Sequence, residues 1–292
     1  MTPRERVLAA LNLEKLDRPP VGIVTQSATI DQMNAVGVSW PEAHSDPQLM
    51  AKLAAAATDL GLETIRIPFD LTAEAELFGA SVDLGKVDRT PMLKAHPFDS
   101  ESEPVIPEDP HQGRPGVVIE ATKILKEQYG KEYPIVVGIA GPFTLAGHLV
   151  ETGNLLLWCI TEPDTVKKFV QAATDFEVKY VKALIEAGAD VIVIVDPSKF
   201  VPRRTALEQG LHKYADLNRL AAGVVAPGGM MITCSCSGPV DPATFVETVG
   251  RAARSANRTM QIFRQTGAGP DHPYHADTPE GQYLKVVWSR LI

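Results

Sequence analysis

Carboxylates follow two stretches of the chain that have the composition of buried strands. Asp196 comes directly after five consecutive β-branched residues, 191–195 (VIVIV), and Asp70 follows the apolar stretch 64–69 (TIRIPF). Ligands in open α/β sheets collect outside the carboxyl ends of the strands. Pro197 has no N–H to donate to a neighbouring strand, so it marks the end of the 191–195 strand. The pattern predicts a ligand site at these strand ends, although a strand that simply ends in a turn would give the same sequence.

Two further acidic residues, Glu74 and Glu76, lie on a short helix that is predicted to follow Asp70. Their carboxylates could face the same site as Asp70. A pair of this kind is more often a solvated or salt-bridged helix face. The sequence leaves both interpretations open.

A glycine-bearing turn is predicted between a strand that begins at residue 134 and the helix after it. Gly138 and Gly141 lie in this turn, and backbone N–H groups at a helix start can hold an anion. The dinucleotide fingerprint requires G-x-G-x-x-G, which these two glycines do not make. The candidate cofactor-binding residues are therefore Asp70, Glu74, Gly138, Gly141 and Pro197.

The three cysteines are too few for a disulfide framework, which favours a reducing compartment. They are Cys159, Cys234 and Cys236. Cys234 and Cys236 are two residues apart on a predicted strand and so share a face. That arrangement suits a reactive cysteine at a strand end, and it equally suits two small core residues.

Composition predicts a globular cytoplasmic protein. The chain has 292 residues, of which 45% are apolar, and its net charge of −8 is unevenly distributed. Residues 1–195 carry 17 basic and 28 acidic side chains, whereas residues 196–292 carry 11 and 8. So small a basic excess is weak evidence for nucleic acid, and we do not expect RNA as a partner. No signal core and no apolar stretch of membrane-spanning length are present, so no membrane segment is expected.

The apolar pattern predicts strands alternating with helices up to residue 195, as in half of a β/α barrel or one side of a doubly wound sheet. Strands are predicted at 21–24, 64–69, from 134 and at 191–195, and helices at 46–59, 117–129 and 163–187, the last capped by Thr161. The proline-rich residues 86–116 are predicted to be a long excursion. Beyond residue 200 we predict helices at 207–225 and 241–257, the latter capped by Asp241, and strands at 230–237, 260–264 and 283–291. The last strand follows a loop without a crossover helix, so it should pair antiparallel.

Six motifs in the first two thirds of the chain are characteristic of one family. They are residues 2–6 (TPRER), 17–20 (DRPP), 40–44 (WPEAH), 68–76 (PFDLTAEAE), 138–144 (GIAGPFT) and 188–198 (GADVIVIVDPS). On these motifs, residues 2 to about 198 resemble the first half of the methylcobamide:coenzyme M methyltransferases, within the uroporphyrinogen decarboxylase superfamily. The resemblance implies a (β/α)₈ barrel and methylcobamide-dependent or tetrapyrrole-like chemistry at Asp70, Glu74 and Glu76.

The resemblance also implies a zinc ion, held by a His-x-Cys pair and a later cysteine, that activates a thiol for methylation. No His-x-Cys occurs in this sequence. A thiol needs a metal or another nearby cation to be a thiolate at neutral pH. We therefore do not expect zinc, and the family's full activity is not expected either.

A second set of motifs covers the last hundred residues. They are residues 196–200 (DPSKF), 214–220 (YADLNRL), 226–229 (APGG), 233–237 (TCSCS), 271–273 (DHP) and 279–285 (PEGQYLK). This portion resembles the last third of class I S-adenosylmethionine-dependent methyltransferases that modify cytosine C5 in large-subunit ribosomal RNA. The resemblance implies that Cys236 is a nucleophile, with Asp196 near it. The glycine-rich turn that holds S-adenosylmethionine in that family belongs to a part this chain lacks.

Together the two resemblances indicate a chimera that joins at the Asp-Pro corner. We expect residues 1–195 to be a half-barrel and residues 196–292 to be the end of a Rossmann-like methyltransferase sheet, in one shared, mainly parallel sheet with one antiparallel strand near its far edge. The predicted function is methyltransferase-related with activity reduced or lost. The alternatives are an inactive recombinant scaffold, methylcobamide-dependent or uroporphyrinogen decarboxylase-like transfer, and a remnant of an RNA-directed methyltransferase. A small-molecule ligand such as methylcobamide or S-adenosylmethionine is implied by resemblance only.

Overall fold

The chain divides into two compact units, Met1–Asp196 and Pro197–Ile292. The structure is a computed structural model, and it describes residues 1–12, 14–23, 28–196, 205, 207–268 and 283–292. The division falls one residue beyond the boundary that the sequence indicates.

The first unit contains helices of very different length around a small parallel sheet. The helices are α1 (Pro3–Leu11), α2 (Ile30–Val36), α3 (Pro47–Ala55), α4 (Ala73–Leu77), α5 (Gly113–Tyr129), α6 (Pro142–Val150), α7 (Thr152–Thr161) and α8 (Pro163–Glu186), with 3-10 turns at Glu42–His44 and Thr58–Leu60. Thr2 starts α1 with a complete capping box, because its side chain accepts from the N–H of Glu5 and the Glu5 carboxylate accepts from Thr2.

The sheet of this unit has the order β1-β4-β5, with both pairs parallel. Its strands are β1 (Ile65–Ile67), β4 (Ile135–Ala140) and β5 (Val191–Val195), and a separate antiparallel hairpin is formed by β2 (Ser81–Asp83) and β3 (Met92–Ala95). Every residue of β1 and β4 is buried, as expected for strands covered on both faces by helices. The predicted α/β class with parallel pairing is confirmed.

Two local predictions for this unit are wrong. Val21 and Ile23 are not in a strand, because their N–H groups bond to the side chains of Glu63 and Thr64 at 2.9 and 2.8 Å; residue 24 lies outside the described residues. Thr161 does not cap α8, since it is the last residue of α7, a helix that the prediction omitted.

The core of the first unit lies between the sheet and the apolar sides of the long helices. In α8, Phe169, Phe176 and Tyr180 are buried and their rings stack on one another or on neighbouring aromatic residues. This is the helical spacing that predicted α8.

The second unit combines two helices with a three-stranded sheet. Its elements are α9 (Leu207–Val224), β6 (Met230–Ser235), α10 (Pro242–Ser255), β7 (Met260–Thr266) and β8 (Lys285–Leu291). Asp241 caps α10 as predicted, because its side chain accepts from the N–H of Thr244 at 2.9 Å.

The sheet of the second unit has the order β6-β8-β7, and β8 is antiparallel to both neighbours. The predicted antiparallel pairing of the last strand is confirmed, and β8 lies between β6 and β7, next to the edge strand β7. The described strands form the sheets β1-β4-β5 and β2-β3 in the first unit and β6-β8-β7 in the second. That the two portions share one sheet stays a prediction. Among the described residues, no helix is long and apolar enough to cross a membrane.

Candidate functional site

Polar side chains of the first unit gather where β1, β4 and β5 end. These strands run parallel, so their carboxyl ends lie at the same edge of the sheet. Asp70 follows β1, Gly141 follows β4 and Asp196 follows β5. The structure therefore brings the predicted strand-end residues to one edge, while Pro197 lies outside the described residues.

Asp70 is buried and held by several partners. Its Oδ1 accepts from the N–H and the hydroxyl of Thr72 at 2.8 and 2.7 Å, and its Oδ2 contacts Arg114 and lies 3.0 Å from Nδ1 of His44. Burial alone would raise the pKa of Asp70, but His44 and the charge of Arg114 outweigh burial and hold this pKa well below its usual range. Asp70 is thus a fixed carboxylate.

Arg114 joins the residues on either side of Asp70. Its guanidinium also donates to Oε2 of Glu76 at 3.1 Å, to the Thr72 hydroxyl at 3.0 Å and to the His44 carbonyl at 3.3 Å. Glu76 belongs to a salt-bridged helix face, which is one of the two interpretations that the sequence left open. Its carboxylate pairs with Arg114 and is partly exposed.

Glu74, unlike Glu76, is fully buried, with 1% of its surface exposed. Its Oε1 accepts from the N–H of Ala140, the last residue of β4, at 3.0 Å, while its Oε2 has no hydrogen-bond partner among the described residues. Burial raises the pKa of Glu74. Of the two glutamates on α4, Glu74 is therefore the one that faces the strand ends.

Glu177 on α8 is a further buried carboxyl, which sequence reasoning missed. Its Oε1 lacks a partner among the described residues, and burial raises the pKa of Glu177 well above its usual value, as do the charges of Glu74 and Asp196. The helical spacing of the sequence could have predicted its burial, because Glu177 occupies the same apolar helix face as Ala173 and Tyr180.

Gly138 makes room for Arg66, another residue that the sequence analysis did not single out. A Cβ at position 138 would lie 2.1 Å from Nη2 of Arg66, so the guanidinium crosses β4 where no side chain stands. Arg66 also donates to the carbonyl of Pro68. Burial lowers the pKa of Arg66 to about 10, against the charges of Asp70 and Glu74. The space over Gly138 is therefore filled by the protein's own cation.

Asp196 occupies the start of α6, the turn in which the sequence predicts anion binding. Its carboxylate accepts from the N–H groups of Phe143 and Thr144 at 3.3 and 3.0 Å and from the Thr144 hydroxyl at 2.5 Å. A Cβ at Gly141 would lie 2.6 Å from that of Asp196, so only glycine allows this approach. Burial raises the pKa of Asp196 to about 6. The anion at this helix start is the protein's own side chain.

Cys236 belongs to the second unit, whereas Asp196 closes the first. Ser235 and Ser237 on either side of Cys236 are buried, with their hydroxyls each 2.8 Å from that of Tyr214. Cys234 is exposed and Cys236 is partly exposed. The core-packing alternative therefore does not describe Cys234, and Cys236 has a solvent-facing side.

The described residues do not form a metal-binding cluster. None of the groupings of His, Cys, Asp and Glu among them brings together three side chains that could hold a metal ion. With no His-x-Cys in the sequence, the residues present do not fit the zinc site that the first resemblance implies.

Comparison with known proteins identifies both portions. The sequence model described as "Uroporphyrinogen decarboxylase (URO-D)" matches residues 2–205. The chain belongs to the uroporphyrinogen decarboxylase family. Methylcobamide:CoM methyltransferase MtbA from Methanosarcina acetivorans is 43% identical over 203 residues, which cover 68% of this chain and 59% of that relative. The solved structure of a methyltransferase from Methanosarcina mazei is 40% identical, with a TM-score of 0.66 over 74% of this chain and 66% of that one.

A shorter segment of this uroporphyrinogen decarboxylase family member matches a different enzyme. Ribosomal RNA large subunit methyltransferase I from Pseudoalteromonas atlantica is 42% identical over 100 residues, which are 34% of this chain and 25% of that relative. The chain thus covers 59% of the length of MtbA and 25% of the length of ribosomal RNA large subunit methyltransferase I. Both predicted resemblances are confirmed, and the chain is related to methyltransferases in both segments.

Proposed function

We propose that this chain is a composite methyltransferase-related protein whose methyl-transfer activity is reduced or lost. In this proposal, half of a (β/α)₈ barrel is joined to the carboxyl-terminal part of a Rossmann-like methyltransferase. The observation that carries it is the partial coverage of two different kinds of relative, 59% of one and 25% of the other, within a single chain.

The contacts at the strand ends support reduced activity. The Asp70 carboxylate already contacts Arg114, Thr72 and His44. The Asp196 carboxylate already accepts hydrogen bonds from the start of α6. A ligand would have to displace these internal partners, each of which is buried or partly buried. Polar groups that are already satisfied offer little net gain on binding.

A direct assay tests the proposal. The full chain is given methylcobamide and coenzyme M, and methyl transfer is followed beside MtbA, the 43% identical relative, as positive control. We expect a rate at least about 100-fold below that of MtbA, equivalent to about 2.7 kcal/mol of lost transition-state stabilisation. A rate within tenfold of MtbA would contradict the proposal and favour an active methylcobamide-dependent enzyme.

A second candidate, a remnant of an S-adenosylmethionine-dependent methyltransferase, is favoured by the partly exposed Cys236 directly after β6. Isothermal titration with S-adenosylmethionine tests it, with methylcobamide titrated in parallel. Binding of S-adenosylmethionine alone would favour this candidate. Binding of neither, together with a cooperative melt, would favour a folded scaffold with remnant sites.

A further inference from the structure

Two carboxyl groups in the first unit are buried without a full set of partners. Glu74 on α4 and Glu177 on α8 are 1% and 4% exposed. Oε2 of Glu74 and Oε1 of Glu177 have no hydrogen-bond partner among the described residues. A buried polar atom without a partner normally loses the free energy of its hydration, so each carboxyl needs an explanation.

The charged groups that face this pair do not neutralise it. Glu177 faces the carboxyls of Glu74 and Asp196. Arg114 contacts Asp70 and Glu76, and Arg66 donates through Nη1 to the Pro68 carbonyl, while Nε of Arg66 has no hydrogen-bond partner among the described residues. No ion pair between either cation and Glu74 or Glu177 is present among the described residues.

Glu74 has neighbours of both signs. Asp70 repels its negative charge, and Arg114 and Arg66 attract it. Burial and the nearby charge of Glu74 both raise the pKa of the Tyr180 phenol on α8. Within the described part of the chain, the Glu74 carboxylate accepts from the N–H of Ala140 and from its own backbone, and from no other donor.

An ionised carboxylate in such surroundings is disfavoured, because burial removes hydration that no partner replaces. We infer that Glu74 and Glu177 are kept as neutral carboxylic acids in the folded protein, and that they form a proton-binding device which makes the folding of the first unit depend on pH. This inference rests on the two partnerless oxygens and their burial, and it is independent of whether the chain transfers methyl groups.

The sign of the effect follows from proton linkage. The pKa values of both glutamates are raised on folding, so the folded state holds protons that the unfolded state releases. The resulting stability is complete at acidic pH and is lost as pH rises through the folded pKa values. For each such carboxyl, the unfolding equilibrium constant rises by up to about tenfold per pH unit.

Asp196 and His148 of the same unit also have shifted pKa values, and they set the lower limit of the informative pH range. The pKa of Asp196 is raised to about 6 by burial, and burial lowers that of His148 to about 4. Asp196 and an unfolded histidine have both lost most of their protons by about pH 7. A pH dependence between about pH 7 and pH 8 that Glu74→Gln or Glu177→Gln removes is therefore not that of Asp196 or His148.

The experiment is urea unfolding of the full chain at several pH values in this window. Trp288 is replaced by Phe, so that fluorescence reports on Trp40 and Trp158, which are both buried in the first unit. Glu177→Gln and Glu74→Gln keep a neutral side chain of similar shape, and Glu186→Gln at the exposed end of α8 is the matched control. We expect the unfolding constant of the parent to rise with pH, and each of the first two changes to remove up to about tenfold per pH unit of that rise.

An unchanged slope in both Glu177→Gln and Glu74→Gln, relative to Glu186→Gln, would overturn the inference. A second measurement does not depend on the variants. The infrared spectrum of the folded parent at about pH 7 should contain the C=O stretching band of a protonated carboxylic acid, since ordinary carboxyls are ionised there. Its absence would also overturn the inference, even if a glutamine variant failed to fold.

Discussion

The guanidinium of Arg66 lies directly over Gly138, across the boundary between β1 and β4. Nη2 of Arg66 is only 2.1 Å from where a Cβ of residue 138 would stand. Arg66 is 1% exposed, so this cation is buried where it covers Gly138 of the neighbouring strand. A glycine in the middle of a buried strand is explained here by close approach of another side chain.

Gly138→Ala should therefore destabilise the first unit. The added methyl group would force Arg66 away from its position in a fully packed core, and overpacking of this kind costs about 1–3 kcal/mol. Urea unfolding followed by the fluorescence of Trp40 and Trp158 measures the change.

The same substitution at Gly223 is the control. No heavy atom lies within 4 Å of a Cβ at this position in α9, so Gly223→Ala should be neutral or stabilise by up to about 1 kcal/mol. Because Gly223 belongs to the second unit, the fluorescence of Trp288 follows this change. In an Arg66→Ala background, Gly138→Ala should cost less than in the parent. Equal costs in the two backgrounds would show that Arg66 is not the cause.

A second prediction concerns the charge pair between Arg114 and Asp70. Arg114 is 6% exposed and Asp70 is 2% exposed, so Arg114→Met leaves a buried carboxylate without its cation. Removing one partner of a buried pair costs about 3–5 kcal/mol. Chemical denaturation at neutral pH should show this loss, and Asp70→Asn in the same variant should restore part of it.

The pH dependence of this pair has the opposite sign from that of Glu177. The pKa of Asp70 is lowered on folding, so its contribution is present above the ordinary carboxyl pKa and is lost as pH falls below it. Arg114→Met should weaken this acid-side loss. Arg89→Met, which breaks an exposed pair with Asp83, should leave stability nearly unchanged, because solvent screens this pair.

The sequence located the strand ends because Asp70 and Asp196 follow apolar runs of strand length. The sequence did not indicate that Asp70 pairs with Arg114. Arg114 lies at the start of α5, and the prolines of residues 86–116 had led to the prediction of an irregular excursion there. Pro115 is compatible with the first turn of a helix, where its missing N–H is not needed. The helix therefore begins four residues before its predicted start.

The errors elsewhere come from contacts that local pattern does not encode. Residues 21–23 have the composition of a strand, but their backbone groups bond to Glu63 and Thr64. The roles of Gly138 and Gly141 were predicted as anion binding from their position before a helix. The structure fills both places with side chains from distant parts of the chain, Arg66 and Asp196.

A third prediction follows from Asp196 at the start of α6. Burial raises the pKa of Asp196 to about 6, so the folded state binds its proton more tightly than the unfolded state does. The advantage of the parent over Asp196→Asn should be largest near pH 4 and should shrink as pH rises through about 6. The shift corresponds to about 1–3 kcal/mol between the two limits.

Urea unfolding of the parent and of Asp196→Asn at about pH 4 and pH 8 measures this difference. The control is Asp175→Asn on the exposed side of α8, which should show no such trend. An advantage that grows with pH would mean that the carboxylate form of Asp196 is the one the fold stabilises.

The last prediction addresses the second unit, where the hydroxyl of Tyr214 joins Ser235, the last residue of β6, to Ser237 just beyond it. It lies 2.8 Å from the hydroxyls of Ser235 and Ser237, and both serines are 2% exposed. Tyr214→Phe would keep the edge-to-face packing on Phe245 but leave buried hydroxyls without this partner. The expected cost is about 1–3 kcal/mol.

The fluorescence of Trp288 in β8 reports on this unit in a protein that carries phenylalanine at the other two tryptophan positions. Tyr283→Phe is the matched control, because Tyr283 is 44% exposed and its change should cost little. The serines support the strand end that carries Cys236, so Tyr214→Phe should also increase the rate at which Cys236 reacts with a thiol reagent, by exposing that end more often. A reaction rate that stays the same despite a clear loss of stability would show that Cys236 is accessible without opening of the hydroxyl network.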